Sequence, residues 1–280
     1  MGSLDFVSPD ALVVTSVVAK DAAEMFDELL ELLASVSPDV VSGLQRFEEE
    51  HDVNLRADLA APLGGEATFA VDGPLLPVPA WKLVVEVYDP ASLQRSVEWT
   101  LGQANRALEA EGLAPLELTG NESSRGTVWS IHHPEAPFSV HYLMVDGFLI
   151  AAPQRALVER ALHHRDSGTT LPRSASFAEL MPRNGYSDCS ALVYRNLVPV
   201  ADMVGQAGLP GVNQEAMALL AEMSVPGLYC VYGEPRRILL SGTGGSLLGS
   251  VPLLGFHGLA GQPLLPTAHA GPPDEVSSGE

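Results

Sequence analysis

Lysine and cysteine are almost missing from this chain. Among 280 residues, lysine occurs only as Lys20 and Lys82, and cysteine only as Cys189 and Cys230. Two cysteines are too few for a disulfide framework, and they form no CxxC motif. Each sits in an apolar, strand-like run (CSALVY and LYCVY), where a buried free thiol is the first expectation. A disulfide between them requires neighbouring strands and an oxidising compartment. Positive charge is scarce overall: 15 basic side chains stand against 35 acidic ones, a formal net charge of −20. Such a surface repels phosphate backbones and anionic headgroups, which excludes nucleic acid as an expected partner and argues against docking on an anionic membrane surface.

The usual catalytic signatures are missing too. The chain has no Walker A lysine motif, no G-x-S-x-G elbow and no H-E-x-x-H pair. The glycine run from Gly242 to Gly249 invites a dinucleotide reading, but the third glycine of that fingerprint would fall at position 247, which is Leu247. Asp52, Asn54 and Asp58 superficially resemble a calcium loop, yet Arg56 and Ala57 occupy positions where such a loop needs a ligand and a glycine. The histidines gather as His132-His133, His141 and His163-His164. Adjacent histidines on a strand point to opposite faces, so solvent-facing rings around a hairpin are expected rather than a metal set. Asn121-Glu122-Ser123 matches a glycosylation sequon, which matters only in a eukaryotic secretory setting. No catalytic, cofactor-binding or metal-binding residue is assigned, and no cofactor is expected.

Charge also vanishes between Ile238 and Pro273. Pro252, Pro263 and the glycines of this stretch oppose a membrane-spanning helix, so an apolar tail packed on its own lobe is expected, followed by disorder from Thr267 to Glu280. At the other end, MGSLDFVSPDALVV lacks a charged region followed by an apolar one. No export signal is expected there, and Met1-Gly2-Ser3 resembles a cloning remnant as much as a natural start. The location expected is cytoplasmic as the chain stands, or periplasmic and envelope-associated if an export signal precedes it.

What is present is regular structure. Hydrophobic residues make up 46%, and mean hydropathy is +0.15, within the globular range. The clearest unit is Phe138–Arg165: strand, Asp146-Gly147 turn, strand ending at Pro153, then a helix with Ala156, Leu157, Ala161 and Leu162 on one face. Strands are also predicted over 11–19, 67–71, 81–88, 116–118, 127–132 and 190–195, with a terminal hairpin over 227–241. Helices are predicted over 22–36, 40–50, 90–111, 198–206 and 214–223, and near Phe177. Asp89-Pro90 supplies a helix start. Val71-Asp72-Gly73-x-Leu75 and Pro79 recur 74 residues later as Val145-Asp146-Gly147-x-Leu149 and Pro153. That echo fits either a structural repeat or two independent answers to one turn problem.

The expected fold is α+β: a mostly antiparallel sheet with β-hairpins and long amphipathic helices on one face, in two related lobes. The expected divisions are an N-terminal extension over 1–9, a first lobe over 10–135, a second over 136–245, and an apolar Gly/Pro-rich tail with a disordered end over 246–280.

The order of HDVNLRADLAAPLGGE (51–66), WKLVVEVYDPASLQ (81–94), VDGFLIAAPQRALVERAL (145–162), SGTTLPRSASFAEL (167–180) and SALVYRNL (190–197) resembles an uncharacterised bacterial domain-of-unknown-function family tied to the cell envelope. The resemblance covers roughly residues 10–245. It implies an α+β envelope-associated protein and supplies no catalytic residues. Function is therefore expected to be a non-enzymatic binding or scaffold module, acting on an unknown protein or an apolar ligand. The alternatives are a carrier of an apolar or lipid-like ligand and, less favoured, a hydrolase with an unrecognised acid/His site.

Overall fold

The computed structural model describes residues 1–19, 21–36, 38–51, 53–75, 79–136, 138–183, 186, 189–207, 224–234 and 237–244. The expected helix over 214–223, the tail over 246–280 and all but the start of the charge-free run lie outside these residues.

Ten antiparallel strands form one sheet: β1 (Val13–Val18), β2 (Leu63–Val71), β3 (Trp81–Val87), β4 (Glu117–Ser123), β5 (Gly126–His132), β6 (Ser139–Val145), β7 (Phe148–Ala152), β8 (Ala191–Arg195), β9 (Gly227–Glu234) and β10 (Arg237–Thr243). Their spatial order is β10-β9-β8-β1-β2-β3-β7-β6-β5-β4. The helices are α1 (Ala22–Val36), α2 (Pro38–His51), α3 (Pro90–Ala110), α4 (Arg155–Ser167), α5 (Ala175–Leu180) and α6 (Val198–Ala207). A π-helical turn spans Leu55–Ala60, and 3₁₀ turns span Ser3–Phe6 and Leu171–Arg173.

Strand alternation sorts the side chains onto two faces. On one, Val14, Ala70, Val84, Ile150, Leu143, Val128, Leu192, Tyr194 and Cys230 are buried. Against them pack the 3₁₀ turn at Ser3–Phe6, the helix face of Leu157, Val158 and Ala161, and Phe177 of α5. Ala156, expected on that helix face, is exposed. The opposite face carries Tyr142 and Ile131, and there α3 and the π-turn sit. Helices therefore cover both faces, not one. Each face of so wide a sheet is apolar and needs its own cover.

The N-terminal residues are core, not an extension. Leu4, Phe6 and Val7 are buried, and Ser3 is fully enclosed. Ser3 Oγ is hydrogen-bonded to Thr68 Oγ1 at 2.6 Å, and Thr68 Oγ1 donates to Ser16 Oγ at 2.7 Å. The expected lobe boundary at 135/136 falls between β5 and β6, which pair from Trp129↔Tyr142 to His132↔Ser139. Residues 1–246 form one compact unit. β1 pairs antiparallel with β8, and from that seam β2-β3 extend one way and β9-β10 the other, each hairpin following a helical excursion.

The Asp72-Gly73 and Asp146-Gly147 pairs sit in different turns. Asp146 (φ 52) and Gly147 (φ 80) make the tight β6–β7 turn with the two positive dihedrals it requires. Asp72-Gly73 instead opens the longer link from β2 to β3, with Asp72 buried.

The thiols are not free. Cys189, just before β8, and Cys230 on β9 form a disulfide, their Cα atoms 5.5 Å apart. β8 and β9 are neighbours, with Leu192 opposite Cys230, and Cys189 lies just outside the ladder, so it is the course of the chain before β8 rather than the strand register that brings the two sulfurs together.

Candidate functional site

The site is built around α3. Its start is specified locally: Asp89 caps the helix, its Oδ1 accepting from Ser92 N at 2.9 Å, and Pro90 occupies the first turn. Three polar struts then fix the helix. Near its start, Tyr142 of β6 donates its hydroxyl proton to Gln94 Oε1 at 3.0 Å. Burial raises the Tyr142 hydroxyl to about 12, so the phenol stays protonated and keeps donating. Two residues on, Ser96 Oγ donates to the Asp58 carbonyl of the π-turn. Towards the helix end, Asn105 Nδ2 donates to Leu116 O at 2.9 Å and Asn105 Oδ1 accepts from Leu116 N at 2.7 Å.

Between the struts the helix stands off its neighbours. Val97, Leu101 and Ala104 face Leu59, Leu116 and Ile131 across a cleft of about 420 Å³, with Phe138 half exposed at its edge. Thr100 is the one polar side chain in the lining. Clefts of this size, mostly apolar with a single polar group, suit small-molecule binding. A smaller cavity of about 190 Å³ lies on the other flank of α3, bounded by Ser92, Arg95, Trp99 and Asp58 and sharing Leu59. Sequence reasoning missed the cleft. The helix over 90–111 was legible, and Val97, Leu101 and Ala104 stand at i, i+4 and i+7 along it, but the struts pair residues 11 to 48 apart.

The residues singled out in the sequence are scattered. Asn54 and Asp58 do structural work: Asn54 Oδ1 accepts from Ala57 N at 2.7 Å, and Asp58 Oδ2 accepts from Asn54 N at 2.8 Å, capping the π-turn in both directions. His132 lies 3.0 Å from Glu117 across an exposed strand pair. His141 is hydrogen-bonded through Nδ1 to Ser130 Oγ at 2.7 Å. Burial, then the charges of Arg155 and His132, hold its pKa below the ordinary histidine value. Ser130 and His141 are direct cross-strand partners, so the sheet register alone accounts for their contact. Among the described residues, no group of three or more His, Cys, Asp or Glu side chains is placed to hold a metal. No described helix is long and apolar enough to cross a membrane.

One buried polar cluster lies beneath α4, on the opposite face from the cleft. Lys82 of β3 donates to Asp72 Oδ2 at 2.6 Å and to the Phe6 carbonyl at 3.1 Å. Asp72 also accepts from Ser8 N at 2.9 Å and Ser8 Oγ at 2.5 Å. The signal was present in the sequence as a lysine inside the apolar strand WKLVVEV. The cluster ties the N-terminal segment to the sheet through Ser8 and the Phe6 carbonyl, and it lines neither of the two cavities beside α3. No family model, curated protein or solved structure matches this chain.

Proposed function

We propose that the protein is a non-enzymatic binding module whose α3 cleft takes an apolar or lipid-like ligand. The cleft carries this reading: about 420 Å³ of space lined almost wholly by aliphatic and aromatic side chains, kept open by three polar struts. In a sheet that already encloses two cores, an unfilled apolar cleft forfeits dispersion contacts that a ligand restores. The Cys189–Cys230 disulfide favours an oxidising compartment, in keeping with the resemblance to envelope-associated proteins. The hydrolase alternative is the weaker reading. The Ser130–His141 bond is its best support, yet Ser130 is only 9% exposed.

Native mass spectrometry of gently purified protein tests the proposal. A co-purifying apolar mass, lost in an Ala104→Trp variant that fills the cleft, is the expected result. An empty wild type that also fails to bind an added long-chain alcohol overturns it.

A further inference from the structure

A third cavity lies on the other face of the sheet, where the N-terminal segment crosses β2. It measures about 500 Å³ and is walled by Leu4, Leu192, Phe177 and Met181, with the disulfide residue Cys189 on one side. Into this mixed wall, which Ser190 and the N-terminal Met1 also line, the chain sets one carboxylate, Glu66. The β2–β3 register shifts between Leu63 and Ala67, and the bulge carries Glu66 at the start of the regular pairing, opposite Val18 of β1.

Glu66 is held rather than free to swing. Its Oε1 accepts from Ser3 N at 2.5 Å and from the Ser3 hydroxyl. Ser3 continues through Thr68 to Ser16, and all three are buried side chains. Among the described residues, Oε2 takes no hydrogen bond and Glu66 has no cationic partner. A fixed carboxylate with one unspent oxygen, beside apolar walls that strengthen its field, is an acceptor for a positive group.

The geometry points to a binding site for a small amphiphile with a protonated amine, the ammonium on Glu66 Oε2 and the apolar body against Leu4, Phe177, Met181 and Leu192. Charge complementarity selects this occupant over an anionic one. The chain's net charge of −20 draws cations and repels carboxylates and phosphates at long range. The volume lies within the usual range of small-molecule sites. This site is independent of the α3 cleft, which carries no charged side chain and lies on the opposite face.

Isothermal titration with n-octylamine, n-octanol and octanoate decides the matter, using wild type, Glu66→Gln, Met181→Trp and Ala104→Trp. Octylamine is expected to bind wild type at least 10-fold more tightly than octanol, with octanoate weakest. Glu66→Gln keeps an acceptor for Ser3, and is expected to erase the preference for amine over alcohol. Met181→Trp fills the cavity without touching the carboxylate and is expected to abolish the tight amine binding, which Ala104→Trp leaves unchanged. Equal affinity for amine and alcohol in wild type overturns the assignment, as does an unaltered preference in a folded Glu66→Gln protein. Loss of amine binding in Ala104→Trp rather than Met181→Trp also overturns it, placing the amine in the α3 cleft.

Discussion

Lys82 and Asp72 form an ion pair sealed inside the protein, Nζ to Oδ2 at 2.6 Å, with side chains 0% and 3% exposed. Half of the chain's lysine is thus spent on one internal contact. A buried pair of this kind is weak evidence for net stability, because removing both charges from water offsets their attraction. Removing one partner is another matter, since the survivor is left uncompensated. Lys82→Met is expected to cost about 3–5 kcal/mol. The Lys82→Met/Asp72→Asn double variant is expected to recover part of that loss. Urea unfolding of the set measures it, and an additive double variant would show that the pair does not couple.

Acid sensitivity follows from the same cluster. Burial alone would raise the Asp72 carboxyl, but the charge and hydrogen bond of Lys82, with both donors of Ser8, outweigh it and hold the pKa below 3.8. His164 on α4 is also lowered from 6.5, by burial first and then by Lys82, against the opposite pull of Asp72 and of the Thr169 carbonyl bond. Both groups bind protons more readily when unfolded. Each therefore contributes stability above its ordinary value that is lost as pH falls towards its folded value. Unfolding free energy is expected to decline in two stages, the first below pH 6.5 and the second below pH 3.8. His164→Leu should shrink the first stage, the remainder belonging to His141, which burial also holds below 6.5, and leave the second. Guanidinium titrations at stepped pH report it, and an undiminished first stage in that variant would reassign the proton.

The β6–β7 turn offers a cleaner measurement. Gly147 has φ 80, and a Cβ added there meets nothing within 4 Å, so the only penalty is conformational. Gly147→Ala should cost about 1–2 kcal/mol. Asp146→Asn, which keeps a residue tolerant of positive φ, is expected to lose only the exposed contact with Arg165 Nη1 at 2.9 Å, worth under about 1 kcal/mol. If Gly147→Ala proves neutral in thermal melts, the turn relaxes to another type.

That turn shows where the sequence was legible and where it was not. Asp146-Gly147 between apolar runs, and Asp89-Pro90 before a helix, are local signals whose physics acts over a few residues, and both elements formed where expected. The sheet order was not legible. β1 pairs with β8 across nearly 180 residues of chain, and no local signal encodes that partner. The same limit hid the core role of residues 3–8. Ser3, Leu4 and Phe6 look like an unremarkable leader until Thr68, Glu66 and Phe148 are folded against them. The matching letters at Val71 and Val145 misled for a related reason. Asp-Gly states a turn preference, not what the following residues do, and one turn closes a hairpin tightly while the other buries its aspartate.

The disulfide gives the most decisive outcome. Cys189 and Cys230 are 41 residues apart, so the link removes loop-closure entropy from the unfolded chain. For a loop of that size the chain-entropy model gives about 4 kcal/mol of stabilisation. The link also fixes the segment before β8 to β9, and so holds one wall of the Glu66 cavity. Denaturant unfolding of oxidised protein, reduced protein and a Cys189→Ala/Cys230→Ala variant is expected to place the last two together, several kcal/mol below the first. The reduced forms are also expected to bind octylamine more weakly, because the wall they loosen is the one the apolar body rests on. Identical unfolding curves with and without reductant, together with two thiols titratable in the native protein, would return the cysteines to the free state their apolar surroundings first suggested.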